Sequence, residues 1–176
     1  MFPPETLPEF AFVGRSNVGK SSLINYLCNN SNLAKVSKTP GKTRLFNHFL
    51  INSEWFLIDM PGYGYAKLSR DTRQSWGQVI EEYILHRTTM RTLFVLVDGS
   101  ITTQKIDLEF LSWLSKKKVP TSIVVTKTDK TNQKELSAFL QSLKLATNSQ
   151  FPTFVVTSNK KQGKETILEY IEQLIQ

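Results

Sequence analysis

Apolar residues along this chain fall into two alternating rhythms: short unbroken runs, and sets spaced three and four apart. Residues 10–13, 93–98, 122–126 and 153–157 are short runs rich in β-branched and aromatic side chains, the pattern of strands buried on both faces. Leu23, Ile24, Leu27 and Cys28 repeat at helical spacing, as do Val79, Ile80, Tyr83 and Ile84. So do Ile106, Phe110, Leu111 and Leu114, then Leu136, Phe139, Leu140 and Leu143, and finally Ile167, Leu168, Ile171, Leu174 and Ile175. Residues 44–52 and 55–59 read as the two strands of a hairpin turning at Asn52-Ser53-Glu54. Thr103 and Thr131 stand where helix N-caps are expected, and Pro120 closes the segment after the third helix. Strand, crossover helix and strand in repetition predict an α/β fold: a doubly wound, mostly parallel six-stranded sheet with one antiparallel strand and helices on both faces. No Pro/Gly/Ser-rich linker divides residues 1–176, which read as one domain.

Ligands of such sheets bind beyond the carboxyl ends of the strands, and every chemically distinctive segment falls there. Gly14-Arg15-Ser16-Asn17-Val18-Gly19-Lys20-Ser21 lies between the first strand and the first helix and has the spacing of a phosphate-binding loop. Its glycines let successive backbone N–H groups converge on phosphate oxygens at the positive end of the helix. Lys20 is then placed to reach the β- and γ-phosphates, and the Ser21 hydroxyl to hold Mg²⁺. Asp59-Met60-Pro61-Gly62 follows the third strand, with a carboxylate suited to hold Mg²⁺ through water and a Gly62 N–H suited to the γ-phosphate. The glycine-rich continuation Gly62-Tyr63-Gly64-Tyr65-Ala66-Lys67 is expected to order around a γ-phosphate and relax once it leaves.

In Ser37-Lys38-Thr39-Pro40-Gly41-Lys42-Thr43-Arg44 a threonine is expected to close over Mg²⁺ and the γ-phosphate. Thr43 is favoured over Thr39, which Pro40 constrains. Thr126-Lys127-Thr128-Asp129 ends the fifth strand, where a carboxylate accepts from both N1–H and the 2-amino group of guanine, a pair adenine does not offer. The Lys127 stem is expected to lie along base and ribose. Thr157-Ser158-Asn159 ends the last strand, with a backbone N–H near Ser158 for guanine O6. Lys20, Thr43 and Gly62 are the candidate catalytic residues, and Ser21, Thr43 and Asp59 the candidate metal ligands.

Charge extends the picture. With 22 Lys+Arg against 15 Asp+Glu the net charge is +7, and residues 10–53 contain no acid while holding Arg15, Lys20, Lys35, Lys38, Lys42 and Arg44. Nucleotide phosphates absorb only part of that charge, so the remainder points toward nucleic acid. The 21% charged and 40% hydrophobic composition is that of a globular protein, and no apolar run is long enough to cross a bilayer. The start lacks the basic and apolar regions of a secretory signal, so a cytosolic protein is expected; a monomer is expected as well. Cys28 reads as a small packed hydrophobe, His48 as solvated or packed, His86 as a complement to a helix dipole, and Lys116-Lys117-Lys118 as a solvated helix end.

The order of these five segments resembles the translation-factor-related GTPases. Gly14 through Ser22, Thr39-Pro40-Gly41-Lys42-Thr43 and Asp59 through Lys67 resemble the EngB-type ribosome-biogenesis GTP-binding proteins, over nearly the whole chain. That resemblance implies GTP or GDP bound with Mg²⁺ at Ser21 and Thr43. It implies nucleotide contacts from Gly14 to Ser22, from Gly41, Lys42, Thr43, Arg44 and Leu45, from Asp59 to Gly62, from Thr126 to Asp129, and from Thr157 to Asn159. It further implies a switch in assembly of the large ribosomal subunit, needed for normal cell division, whose partners are a subunit precursor and ribosomal RNA. An RNA-binding module gated by GTP, with incidental hydrolysis, is the alternative; Asp129 argues against an ATP-using phosphotransferase.

Relatives in the wider superfamily carry Asn where this chain has Thr126. The amide that ties the base loop to the phosphate loop is therefore expected to be missing, and nucleotide affinity to be micromolar, although Thr is usual for the EngB type. Tyr63 stands where many small GTPases have a water-orienting glutamine, so intrinsic hydrolysis is expected to be slow until a partner surface, a potassium ion or RNA completes the site. Members of the EngB type carry a longer N-terminal segment than the one preceding the first strand here, which suggests an altered start or a trimmed chain.

Overall fold

The computed structural model describes residues 4–34, 46–63, 70–157 and 161–176. In chain order the elements are β1 (Glu9–Gly14), α1 (Lys20–Leu27), β2 (Asn47–Ile51), β3 (Trp55–Asp59), α2 (Arg70–His86), β4 (Met90–Asp98), α3 (Lys105–Lys116), β5 (Thr121–Thr126), a 3₁₀ turn (Thr128–Lys130), α4 (Gln133–Ala146), β6 (Thr153–Val155) and α5 (Lys164–Ile175). The strands form one six-stranded sheet in the order β2-β3-β1-β4-β5-β6. β2 runs antiparallel to β3, and every other pairing is parallel. The doubly wound sheet expected from the two rhythms is therefore the fold.

Strand alternation sorts the core into two layers. Ala11 and Val13 of β1 with Leu93, Val95 and Val97 of β4 face Tyr83 and Ile84 of α2, Leu111 and Leu114 of α3, and Phe139 and Leu143 of α4. Phe10 and Phe12 with Phe94 and Leu96 face Leu23, Ile24 and Leu27 of α1 and Ile167 and Ile171 of α5. Phe12 stacks on Phe94 with centroids 4.7 Å apart. Because successive residues of a strand point to opposite faces, these unbroken apolar runs serve both layers at once.

The β2–β3 hairpin turns through Asn52 and Ser53, both left-handed at φ 50° and 59°, with the Glu54 N–H donating to the Ile51 carbonyl at 2.9 Å. That is the turn whose twist matches paired strands.

The structure corrects several boundaries. β6 stops at Val155, and Thr157 instead bridges Gln162 outside the sheet. The N-caps fall one residue later than Thr103 and Thr131. Gln104 precedes α3, and Asn132 precedes α4, where its side chain accepts from the Glu135 N–H at 2.9 Å and Glu135 accepts in return from the Asn132 N–H. That reciprocal capping box, which the Thr131 hydroxyl supports by donating to Glu135 at 2.8 Å, wins over the threonine alone. Ile106 and Val79 are exposed rather than core residues. Residues 44 and 45 of the expected hairpin strand lie outside the described residues. Among those described, no helix is long and apolar enough to cross a membrane.

Candidate nucleotide site

β1 delivers the chain to the crevice beside β4, where strand order reverses. At Gly14 a Cβ would press to 2.8 Å from Val18 Cγ1 and 3.0 Å from Leu96 Cβ, so only glycine lets the loop fold back this tightly. Asn17 (φ 64°) and Gly19 (φ 102°) are left-handed, and Gly19 caps α1, whose first turn carries no acid to oppose the positive end of its dipole. Ser16 and Asn17 are exposed, Val18 is locked in the core, and Ser21 and Ser22 lie half-buried in the first turn of α1. Lys20, buried, pairs with the Asp59 carboxylate, which also accepts from Asn47 Nδ2 at 3.3 Å. Register places Asp59 against Phe12 of β1, level with the loop. Lys20, Ser21 and Asp59 are thus brought to one place. A hydroxyl and a carboxylate are hard oxygen donors, the type Mg²⁺ takes, so the residues fit that ion. Met60, Pro61 and Gly62 are buried behind them, the Met60 N–H donating to the Phe12 carbonyl at 3.0 Å.

β5 delivers the second half. The Thr126 hydroxyl donates to the Val18 carbonyl at 2.6 Å, with the Val97 carbonyl 3.1 Å away. The tie between base loop and phosphate loop, expected to be missing without an asparagine amide, is therefore made by a threonine hydroxyl. Lys127 takes a left-handed conformation (φ 57°) that turns the chain into the 3₁₀ turn carrying Thr128 and half-buried Asp129. The Thr128 hydroxyl meets that of Thr157 at 2.5 Å, drawing the last loop to the same edge.

Two acids that sequence patterning passed over organise the crevice. Asp98, at the end of β4, accepts from Lys127 Nζ at 2.6 Å and from the Ser100 N–H and hydroxyl at 3.0 and 2.6 Å. Burial works to raise its pKa, but Lys127 and Ser100 together hold it below the usual carboxylate value. Asp107, in the first turn of α3, accepts from Arg15 Nε at 3.0 and 3.3 Å and from the Tyr63 hydroxyl at 2.9 Å. Burial pushes its pKa up despite both donors. The signal was present: Asp107 stands in register with buried Leu111 and Leu114, an acid on the apolar stripe of its helix. Arg15 therefore directs its guanidinium to α3.

Cys28 caps α1, half-buried against the second layer, and burial raises its pKa. His48 is half-buried on β2, where burial lowers its pKa. His86 is exposed in the last turn of α2, and Lys116, Lys117 and Lys118 are exposed where α3 ends. Lys35, Lys38, Gly41, Lys42, Thr43, Arg44, Leu45, the segment 64–67, Ser158 and Asn159 lie outside the described residues.

A phosphate-loop turn between β1 and α1, tied through the Thr126 hydroxyl to the segment that ends β5 across one switch-point crevice, defines the class: a phosphate-loop protein of doubly wound fold. The profile of the family described as 50S ribosome-binding GTPase matches residues 9–127. A probable GTP-binding protein EngB of Phocaeicola vulgatus is 51% identical over 176 residues, covering 98% of this chain and 88% of its own. Its counterpart in Porphyromonas gingivalis is 49% identical over 178 residues, with 99% and 89% covered. Among solved structures, a probable GTP-binding protein EngB superposes with a TM-score of 0.77 at 24% identity over 95% of this chain and 98% of that one. Era bound to MgGDPNP and nucleotides 1506–1542 of 16S ribosomal RNA gives 0.77 at 19% identity over 97% and 57%. The chain belongs to this GTPase family, within its EngB GTP-binding proteins. It binds GTP and GDP and hydrolyses GTP.

Proposed function

We propose that residues 1–176 form a single Mg²⁺-dependent GTP-binding domain that acts in the cytoplasm as a slow switch in assembly of the large ribosomal subunit, and through it in normal cell division. The observation that carries this reading is the bond from the Thr126 hydroxyl to the Val18 carbonyl at 2.6 Å, which makes base reader and phosphate cradle one unit. Asp129 accepts from the guanine edge, and Lys127, steadied by Asp98, lies along the base. On nucleotide entry Lys20 exchanges Asp59 for phosphate oxygens. Ser21, Thr43 and, through water, Asp59 would hold Mg²⁺, which would offset charge on the β- and γ-phosphates. The Gly62 N–H meets the γ-phosphate. Tyr63 has no side-chain amide and its hydroxyl is engaged by Asp107, so this residue does not orient water, and intrinsic hydrolysis is slow.

The family description, the net charge of +7 and the acid-free stretch from residue 10 to 53 support a large-subunit precursor and its RNA as partner. Sedimentation with large-subunit particles under GTP, GDP or neither tests the switch. Association under GTP that is lost under GDP is the expected result, with turnover raised by the particles. Equal association in all three conditions would reduce the protein to an RNA-binding module whose hydrolysis is incidental.

A further inference from the structure

The buried carboxylate of Asp107, in α3, accepts from the side chains of two loop segments at once. Arg15, the second residue of the phosphate loop, donates to it from Nε at 3.0 and 3.3 Å. Tyr63, the residue after Gly62, donates to it from its hydroxyl at 2.9 Å. The Tyr63 ring stacks on Phe110, three residues further along α3, with centroids 4.4 Å apart, and Phe110 in turn stacks near Trp113 at 5.9 Å. Gly62 itself is buried so closely against the phosphate loop that a Cβ would run into the Gly14 carbonyl oxygen. A carboxylate this deeply enclosed is stable only while its donors stay, so displacing Tyr63 leaves Asp107 with Arg15 alone.

We propose that Asp107 is a positioning residue for GTP: through Tyr63 and Arg15 it latches the backbone at Gly62 to the phosphate loop, so that the γ-phosphate meets an N–H already in place. This rests on the reading that Gly62 contacts the γ-phosphate. The latch lowers the ordering cost of binding at that one contact. GDP makes no such contact and gains nothing from it, so the latch appears as a preference for GTP over GDP rather than as affinity for both.

The test is titration of the wild-type chain and of Tyr63→Phe, Asp107→Asn, the double variant and Gly62→Ala with a nonhydrolysable GTP analogue and with GDP, each in Mg²⁺. Tyr63→Phe keeps the ring on Phe110 and removes only the hydroxyl, so it guards against a fold defect in Asp107→Asn. Each single variant is expected to weaken the GTP analogue on the order of five- to tenfold while GDP affinity stays within about twofold. The double variant is expected to equal the single ones, because both cut the same link. If analogue and GDP weaken together, or the two substitutions add, Asp107 is only structural and the latch is overturned. If Gly62→Ala also leaves the analogue untouched, the γ-phosphate reading of Gly62 fails with it; selective loss at Gly62→Ala but not at Tyr63→Phe rejects the latch alone.

Discussion

A carboxylate, an arginine and a tyrosine meet at both ends of this sheet. At the amino end the wholly buried Glu9 accepts from Arg87 Nε at 3.0 and 2.9 Å, from a terminal guanidinium nitrogen of Arg87 at 2.5 Å, and from the Tyr83 hydroxyl at 2.5 Å. At the carboxyl end Asp107 accepts from Arg15 and Tyr63. Burial is the largest influence on both tyrosines and, with the adjacent carboxylate, drives both hydroxyls well above the usual phenol value. What differs is the backbone behind the donors. Glu9 lies in β1, Tyr83 in α2, and Arg87 directly after α2 with its N–H still bonded to the Tyr83 carbonyl at 3.0 Å. Arg15 lies just after β1 in the phosphate-loop segment and Tyr63 directly after Gly62, both outside helices and strands. The same chemistry is an anchor where it joins regular elements and a latch where it joins segments that must answer to a ligand.

The comparison is broken most severely at Arg87. Arg87→Ala leaves Glu9 buried without a cation, which costs about 3–5 kcal/mol and lowers Tm on the order of 10 °C for a chain of this size. Thermal unfolding measures that loss, while the ratio of GTP-analogue to GDP affinity is expected to stay at the wild-type value. Removing a hydroxyl from each cluster sharpens the contrast at a smaller scale. Tyr83→Phe keeps its ring against Phe46, at 5.0 Å, and loses a buried bond to a charged acceptor, about 1.5–3 kcal/mol of stability without a change in nucleotide preference. Half-buried Tyr63→Phe is expected to do the reverse. Equal losses of Tm with unchanged preference in both would erase the distinction between anchor and latch.

Much of the fold was legible because its two rhythms are imposed by burial alone. Strands covered on both faces must be apolar throughout, as residues 93–98 are, and helices covered on one face must repeat, as Leu111 and Leu114 do. The candidate site was legible where a motif is contiguous, since Gly14 through Ser21 declares its geometry locally. Contacts that depend on tertiary register were not. Thr126 reaches Val18 across 108 residues, and nothing in a threonine announces which carbonyl it will meet. Asp107 was readable only as an acid out of place on an apolar stripe, without its partners. At Asn132 the one-residue shift from Thr131 arose because a capping box with Glu135, not propensity, decides the start of α4, whereas Gln104 precedes α3 with no side-chain cap bond that the sequence could have announced.

On the function proposed above, Asp129, carried on the turn that follows Thr126, reads guanine. Competition between GTP and XTP for Asp129→Asn tests it most directly, because an amide donates to the xanthine 2-oxygen and no longer accepts from both donors of guanine. GTP affinity is expected to fall on the order of a hundredfold or more, with XTP now preferred, while the circular dichroism spectrum stays that of the wild type. An unchanged preference for GTP in a folded variant would contradict the account.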